Sequence, residues 1–130
     1  LFKFTESIIK NKKIQFFKKG NHYRDFTYVD DIVSGIIGVI KKKPANKNVP
    51  FSIFNIGSNN PHYLKNFLSI IEKFLGNKAK VVYKGLQKGD VHKTHADISS
   101  LNKKTKYYPK TSLKKGIYNF IEWYKSYYLN

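Results

Sequence analysis

The chain has 130 residues, and its 25 lysine and arginine residues outnumber 8 aspartate and glutamate residues, which gives a formal net charge of +17. It contains no cysteine, so disulfides, thiolate metal sites and a cysteine nucleophile are excluded. No apolar run approaches the ~18 residues of a membrane span, and the N-terminus lacks the pattern of a signal peptide, so we expect no membrane segment and a cytoplasmic location.

The length predicts a single domain over residues 1–130, large enough to bury a core of its own. The chain begins at Leu1 and contains no methionine at all, from which we expect that it is a piece of a longer protein.

Helical and extended patterns alternate along the first half of the chain. Residues 1–12 are predicted to end a helix, Ile14–Phe17 to form a short strand, and Arg24–Val29 to form an extended segment. Asp30 or Asp31 is predicted to cap the next helix by accepting its free backbone N–H groups. The apolar face of that helix is formed by Ile32, Val33, Ile36, Ile37, Val39 and Ile40.

The second half continues the alternation. Phe51–Ile56 is predicted to be a strand, and Pro61 to occupy the first position of a helix. The buried face of that helix is formed by Leu64, Phe67, Leu68, Ile71, Phe74 and Leu75. Residues 79–83 are predicted to form another strand, and Asp97 and Ser112 to cap the last two helices. This order predicts a mixed α/β layer structure.

Arg24 is the only arginine among the basic residues. Its planar guanidinium can grip two oxygens at once, which a lysine cannot do. Arg24 is therefore the best candidate for contact with a phosphate or carboxylate. A structural ion pair with Asp25, Asp30 or Asp31 is an equally open interpretation of the same residue.

The positive charge of the chain does not by itself predict a specific nucleic-acid partner. The lysines are spread in pairs and triplets along the sequence, whereas surfaces that recognise bases usually carry several arginines. Weak, salt-sensitive binding to polyanions is still expected, because it depends only on charge.

The sequence shows no catalytic machinery that the residues alone would identify. It has no Gly-x-Gly-x-x-Gly turn, no Walker loop and no His-Glu-x-x-His motif. His22, His62, His92 and His95 are not spaced as a set of metal ligands. We therefore predict neither catalytic residues nor a metal site in this chain.

Four segments carry a resemblance to a known family: RDFTYVDD, FNIGS, GLQKGDVHKTHAD and GIYNFIEWY. Together they resemble the C-terminal, substrate-binding part of extended short-chain dehydrogenase/reductases that act on sugar nucleotides. The resemblance covers essentially the whole chain, and it is strongest to the UDP-glucuronate 4-epimerase branch. It implies a Rossmann-type α/β enzyme whose NAD-binding half is absent from this chain.

The resemblance implies a set of residues that bind the UDP-sugar. Arg24 would contact the diphosphate, and Asp90 would accept from the ribose hydroxyls. Backbone groups at Gln15 and Phe17 would hydrogen-bond the edge of the uracil, with the Phe17 ring supplying apolar surface. The residues themselves leave two simpler interpretations open, which are core packing for Phe17 and a turn role for Asp90.

Two further positions are implied less directly. Gln87 stands where galactose-type epimerases often have a second arginine on the phosphates, and Thr94 lies where other branches place a side chain that faces the sugar or phosphate. Lys88 departs from the family pattern, because proline is common at that position.

The resemblance also implies what lies outside the chain. Relatives bind NAD on an N-terminal Rossmann domain and transfer protons with a Tyr-x-x-x-Lys pair. Tyr107 and Tyr124 have Lys110 and Lys125 nearby, but they lie close to the C-terminus and far from any cofactor loop, so we reject them for that role. We therefore expect that the chain alone has no turnover and binds NAD weakly. We also expect that the homodimer of the parent enzyme forms through the missing half.

The reaction implied for the parent enzyme is inversion at C4 of a UDP-hexuronic acid. A UDP-glucuronate decarboxylase and a nucleotide-sugar 4,6-dehydratase are alternatives within the family. A basic, non-enzymatic module that binds polyanions is an alternative of another class.

Overall fold

The computed structural model describes residues 1–44, 48, 50–85 and 89–129. Their contacts divide the chain into two compact units. Unit 1 comprises Leu1–Arg24, His62–Thr94 and Ser112–Asn130, and unit 2 comprises Asp25–Pro61 and His95–Thr111. The prediction of one domain over residues 1–130 stays a prediction.

Helices and short strands alternate along the described residues, which confirms the α/β class. In chain order they are α1 (Phe2–Ile9), β1 (Lys13–Phe17), β2 (Tyr23–Arg24), α2 (Val29–Ile40), β3 (His62–Tyr63), α3 (Leu64–Leu75), β4 (Lys80–Lys84), α4 (Ser99–Thr105) and α5 (Leu113–Tyr128). In the part of the chain that the structure describes, no helix is both long and apolar enough to span a bilayer.

Unit 1 is built on two strand pairs. β1 and β4 are parallel, in a register that runs from Lys13 opposite Lys80 to Phe17 opposite Lys84. β2 and β3 are antiparallel, with Arg24 opposite His62.

The core of unit 1 is formed where α1, α3, α5 and β1 meet. Alternation along β1 turns Ile14 and Phe16 inward and leaves Gln15 exposed. The other buried apolar residues are Ile8, Phe67, Leu68, Ile71, Ile117, Ile121 and Tyr124. Gly76 closes α3 in the left-handed conformation, with φ 72°, as its position after the last apolar residue predicts.

Unit 2 packs α2 and α4 around a small core of Ile98, Leu101 and Tyr107. Phe54 and Ile56 pack against this cluster from the segment between the helices. A Cβ at Gly35 would lie 3.1 Å from Ile56 Cγ2, so glycine permits α2 to approach the 54–56 segment closely.

The predicted strand over Phe51–Ile56 is wrong. The segment belongs to no strand or bridge among the described residues, and Ile53 is 84% exposed. Its β-branched and aromatic composition favours a strand, but a strand needs a neighbour to receive its backbone hydrogen bonds.

The predicted cap of α2 is also wrong. Tyr28 is the N-cap, no side chain caps this helix, and Asp30 and Asp31 lie within its first turn. Asp31 is buried and instead accepts hydrogen bonds from the backbone N–H groups of Lys110 and Thr111, each at 3.0 Å. The Asp31 carboxylate therefore accepts from backbone N–H groups that are distant in sequence and does not cap its own helix.

The remaining helix starts were predicted with mixed success. Pro61 precedes β3 and the helix begins at Leu64, so the predicted start is three residues early. Ser112 is the N-cap of α5 and accepts the Lys115 N–H at 3.2 Å, which confirms that cap. Asp97 accepts the Ser99 N–H at 2.9 Å, but the N-cap of α4 is Ile98, so the predicted cap of α4 is wrong. The extended segment predicted over Arg24–Val29 is a strand only at Arg24.

Two threonines, one buried in unit 1 and one half-buried in unit 2, test how much a hydroxyl hydrogen bond contributes to stability. Thr5 is fully buried in unit 1, and its Oγ1 has no partner among the described residues. Thr105 Oγ1 donates to Leu101 O at 2.8 Å and accepts the Tyr107 N–H at 3.1 Å. We expect Thr5→Val to be neutral or to raise the free energy of unfolding by ~1 kcal/mol, and Thr105→Val to lower it by ~1–2 kcal/mol. Urea denaturation measures both, and equal losses would contradict the assignment.

Candidate functional site

An ion pair joins two residues that the sequence singled out separately. Arg24 Nη2 donates to Asp90 Oδ1 at 2.6 Å, across 66 residues of chain. Both side chains are about one quarter exposed, so the pair lies at the surface of unit 1. Arg24 does form an ion pair, as one interpretation of the sequence held, but its partner is Asp90 and not one of the nearby aspartates that the sequence suggested.

Backbone pairing brings Asp90 to Arg24. The Tyr23 N–H donates to His92 O at 2.9 Å, and the Thr94 N–H donates to Tyr23 O at 3.1 Å, so residues 92–94 run beside β2. Just before Asp90, Gly89 adopts φ 82°, a conformation that glycine adopts without strain.

His22 is a third member of the site, and its role there was not predicted from the sequence. Its ring is almost fully buried, and Nε2 lies 3.1 Å from Asp90 Oδ2 without the alignment of a hydrogen bond. His22 and Arg24 are two residues apart at β2, so the strand period places both side chains on one side. That spacing was the signal that could have identified His22.

The ion pair leaves hydrogen-bonding capacity on both partners. Arg24 Nη1 also donates to Tyr23 O at 2.9 Å and to His92 O at 3.4 Å. With the bond to Asp90, these contacts use three of the five guanidinium donors, so among the described residues Nε–H and one Nη2 hydrogen remain available. The Asp90 carboxylate has about four acceptor positions and lies against the Arg24 guanidinium and the His22 ring, so it can accept further hydroxyl donors.

The other predicted binding residues occupy different parts of unit 1. Gln15 is exposed and Phe17 is half-buried on β1, opposite Val82 and Lys84 of β4. In the described part of the chain β1 pairs only with β4, so its other edge offers free backbone N–H and C=O groups. Thr94 is half-buried and adjoins β2, whereas Gln87 lies outside the described residues.

Among the described carboxylates of unit 2, Asp25 accepts the most hydrogen bonds, whereas the sequence suggested it only as a partner of Arg24. It accepts hydrogen bonds from the Ser58 hydroxyl and from the backbone N–H groups of Ser58, Asn59 and Ala96, the last three at 3.2, 3.1 and 2.9 Å. Burial raises the pKa of Asp25, but these hydrogen bonds outweigh it and hold the pKa below the ordinary 3.8. Asp25 therefore fixes the loop after the 51–56 segment to residue 96.

Tyr107 has a structural role in unit 2. Its buried hydroxyl donates to Gly57 O at 3.1 Å, and burial followed by the charges of Asp31 and Asp25 raises its pKa. A proton held in this way is not available to a substrate, which supports the rejection of Tyr107 as a catalytic tyrosine. Among the described residues, no group of three His, Asp or Glu side chains could hold a metal ion.

Residues 1–57 match the model of the NAD dependent epimerase/dehydratase family. Over 98% of its length the chain is 38% identical to protein CapI of Staphylococcus aureus and 39% identical to UDP-glucuronate 4-epimerase 2 of Arabidopsis thaliana. It spans only 42% and 32% of those two proteins, so most of each relative lies outside the similarity.

A solved structure shows the same relationship. The UDP-glucuronic acid 4-epimerase of Bacillus cereus, in complex with UDP-glucuronic acid and NAD, matches 92% of this chain with a TM-score of 0.79 and 28% identity. The match covers 38% of that enzyme.

Proposed function

We propose that the chain, which matches the NAD dependent epimerase/dehydratase family over residues 1–57, supplies the nucleotide grip of a UDP-sugar 4-epimerase acting on UDP-glucuronate. The observation that carries this proposal is the 2.6 Å pair of Arg24 and Asp90, two residues from distant parts of the chain that keep donors and acceptors free at one surface. The full names and the bound UDP-glucuronic acid of the similar enzymes support the choice of substrate.

Each group of the nucleotide has a chemically suitable partner in unit 1. The remaining Arg24 donors suit two oxygens of a diphosphate, because a charge-assisted fork is about twice as strong as a neutral hydrogen bond. Asp90 suits the two vicinal ribose hydroxyls, which are both donors. The free edge of β1 near Gln15 and Phe17 suits the uracil edge, and Thr94 and Gln87 are proposed as further contacts.

The catalytic residues and the NAD site are proposed to lie in the part of the enzyme outside this chain. The sequence contains no glycine-rich dinucleotide turn, so the residues present do not fit NAD. The contribution of this chain is then to hold the sugar in place, which lowers the barrier of a reaction by positioning. We propose no turnover by the chain alone and a homodimer formed through the remaining part.

Alternative functions of two classes are compatible with the same arrangement of Arg24 and Asp90. A UDP-glucuronate decarboxylase or a nucleotide-sugar 4,6-dehydratase would use the same nucleotide contacts and differ in the catalytic part. The net charge of +17 favours a second class, a non-enzymatic module that binds polyanions.

A salt series separates nucleotide recognition from polyanion binding. We expect UDP to shift the backbone amide resonances of residues 23–24 and 89–94, with a Kd of about 1 mM because part of the site is missing. We expect ADP to be at least about tenfold weaker, a difference of ~1.4 kcal/mol, and the Kd for UDP to change little between low and high salt.

Heparin is the comparison ligand for this experiment. Its affinity should fall steeply with salt, because it displaces counterions at many lysines. If UDP and ADP bind equally and both follow the salt dependence of heparin, the nucleotide-grip proposal is wrong and the polyanion module is favoured.

A further inference from the structure

His22 contributes a buried ring nitrogen to the surface that Arg24 and Asp90 form. The residue is only 2% exposed, and its Nε2 has no aligned hydrogen-bond partner among the described residues. Burying a polar atom without a hydrogen bond lowers stability, so a position that needed only packing would favour an apolar side chain. Nε2 lies 3.1 Å from Oδ2 of Asp90, which indicates that the ring acts on this carboxylate.

The two oxygens of Asp90 have different neighbours. Arg24 Nη2 donates to Oδ1 at 2.6 Å, whereas His22 Nε2 lies beside Oδ2. Tyr23 stands between the two basic residues in the chain, and its ring packs instead against Tyr63, with the ring centroids 5.3 Å apart. The alternation of residues 22–24 therefore directs two polar side chains to Asp90 and the aromatic side chain to another neighbour.

The contacts with His22 and Arg24 leave Asp90 free to bind a ligand in a fixed orientation. A carboxylate has about four acceptor positions, and the two neighbours take one on each oxygen. The Asp90 side chain is 24% exposed, so part of the carboxylate is accessible from outside. Two vicinal hydroxyls need two acceptors at a fixed separation, and a carboxylate that is already held in place loses less conformational freedom on binding them.

We infer that His22 is a positioning residue for ribose recognition: a proton on Nε2 attracts Oδ2 of Asp90 and holds the carboxylate in the orientation that accepts both hydroxyls. This inference rests on the nucleotide grip proposed for Arg24 and Asp90, to which it adds a residue and a selectivity. Because its ring is buried, His22 acts through Asp90. The ligand class that it favours is a nucleoside diphosphate with an intact ribose, since a 2′-deoxyribose offers one hydroxyl fewer.

The proton on His22 can be observed without any ligand. We expect ¹⁵N NMR of the wild-type ring at neutral pH to show a hydrogen on Nε2, because a carboxylate oxygen beside that atom favours a donor there. A ring whose only proton is on Nδ1 would place two acceptors against each other and would overturn the inference.

Titrations with UDP and 2′-deoxy-UDP measure the ribose selectivity. We expect the wild type to bind UDP about tenfold more tightly than 2′-deoxy-UDP, because one hydrogen bond to a carboxylate is lost. His22→Leu fills the buried space without a donor, and the ratio should fall below about twofold. His22→Gln keeps a donor and should restore a ratio of at least about fivefold. His95→Leu is the matched control at an exposed histidine of unit 2, and it should keep the wild-type ratio.

The outcomes separate this inference from the nucleotide grip. If His22→Leu is folded by circular dichroism and either weakens both nucleotides equally or keeps the wild-type ratio, His22 does not position Asp90, whereas the nucleotide grip stands. If the wild type itself does not distinguish the two nucleotides, the ribose contact of Asp90 is wrong and the role of His22 is wrong with it. If His22→Leu does not fold, the position of the proton on the wild-type ring decides.

Discussion

Replacement of Asp25 by asparagine is expected to lower the free energy of unfolding by about 2–3 kcal/mol. The carboxylate accepts four hydrogen bonds from Ser58, Asn59 and Ala96. Asparagine keeps the size of the side chain but replaces one oxygen with a donor, which would face backbone N–H groups. At least one partly buried N–H group would then lack an acceptor, and that loss is the main cost.

The same carboxylate predicts a pH dependence. The pKa of Asp25 is lower in the folded chain than the ordinary 3.8, so the unfolded chain binds a proton more readily. The stabilisation is therefore complete above about pH 3.8 and is lost as the pH falls through the pKa of the folded protein. Asp25→Asn should remove this component and flatten the dependence of stability on pH in that range.

Denaturant unfolding of the wild type and two variants between pH 2.5 and 7 measures both effects. Asp30→Asn is the control, since Asp30 is exposed in the first turn of α2, and it should cost no more than about 0.5 kcal/mol. Equal losses for the two variants would contradict the role of Asp25.

Replacement of Arg24 by lysine is expected to weaken UDP binding by about 10- to 100-fold, because hydrogen bonds to charged groups contribute ~1.5–3 kcal/mol. Lysine keeps the positive charge near Asp90 but loses the planar fork. The loss should therefore come from the geometry of the diphosphate contact and not from the charge of the site.

A comparison of two ligands separates this effect from a structural one. UMP lacks the second phosphate, so the preference for UDP over UMP should shrink towards unity in Arg24→Lys. A variant that merely disturbed the pairing of residues 92–94 with β2 would weaken both ligands equally. Binding of heparin should be unchanged in Arg24→Lys, since the net charge is unchanged.

The sequence predicted local features well where a single element determines them. The helices around Phe67 and Ile117, the strands at Ile14 and Val81 and the left-handed Gly76 follow from periodicity and turn chemistry. The sequence predicted poorly those hydrogen bonds and strand pairings that depend on residues distant in the chain. Asp31 accepts from the backbone of residues 110–111 and does not cap α2. Phe51–Ile56 has the composition of a strand, but in the described part of the chain no strand pairs with it.

In the candidate site, too, local features were predicted better than long-range contacts. The residue type predicted Arg24 as a contact and the family resemblance implied Asp90, but nothing in the local sequence indicated that they pair with each other. The pairing depends on residues 92–94 lying beside β2, which is a long-range arrangement. Asp25 was overlooked for the same reason, because its partners lie more than 30 residues away.

A crystal structure of the chain with UDP is the most direct test of nucleotide binding by Arg24 and Asp90. We expect the diphosphate on the Nε and Nη2 donors of Arg24, the ribose hydroxyls on Asp90 and an intact hydrogen bond between the two side chains. UDP bound away from Arg24 on surface lysines, with the ion pair unchanged and no contact to Asp90, would contradict it.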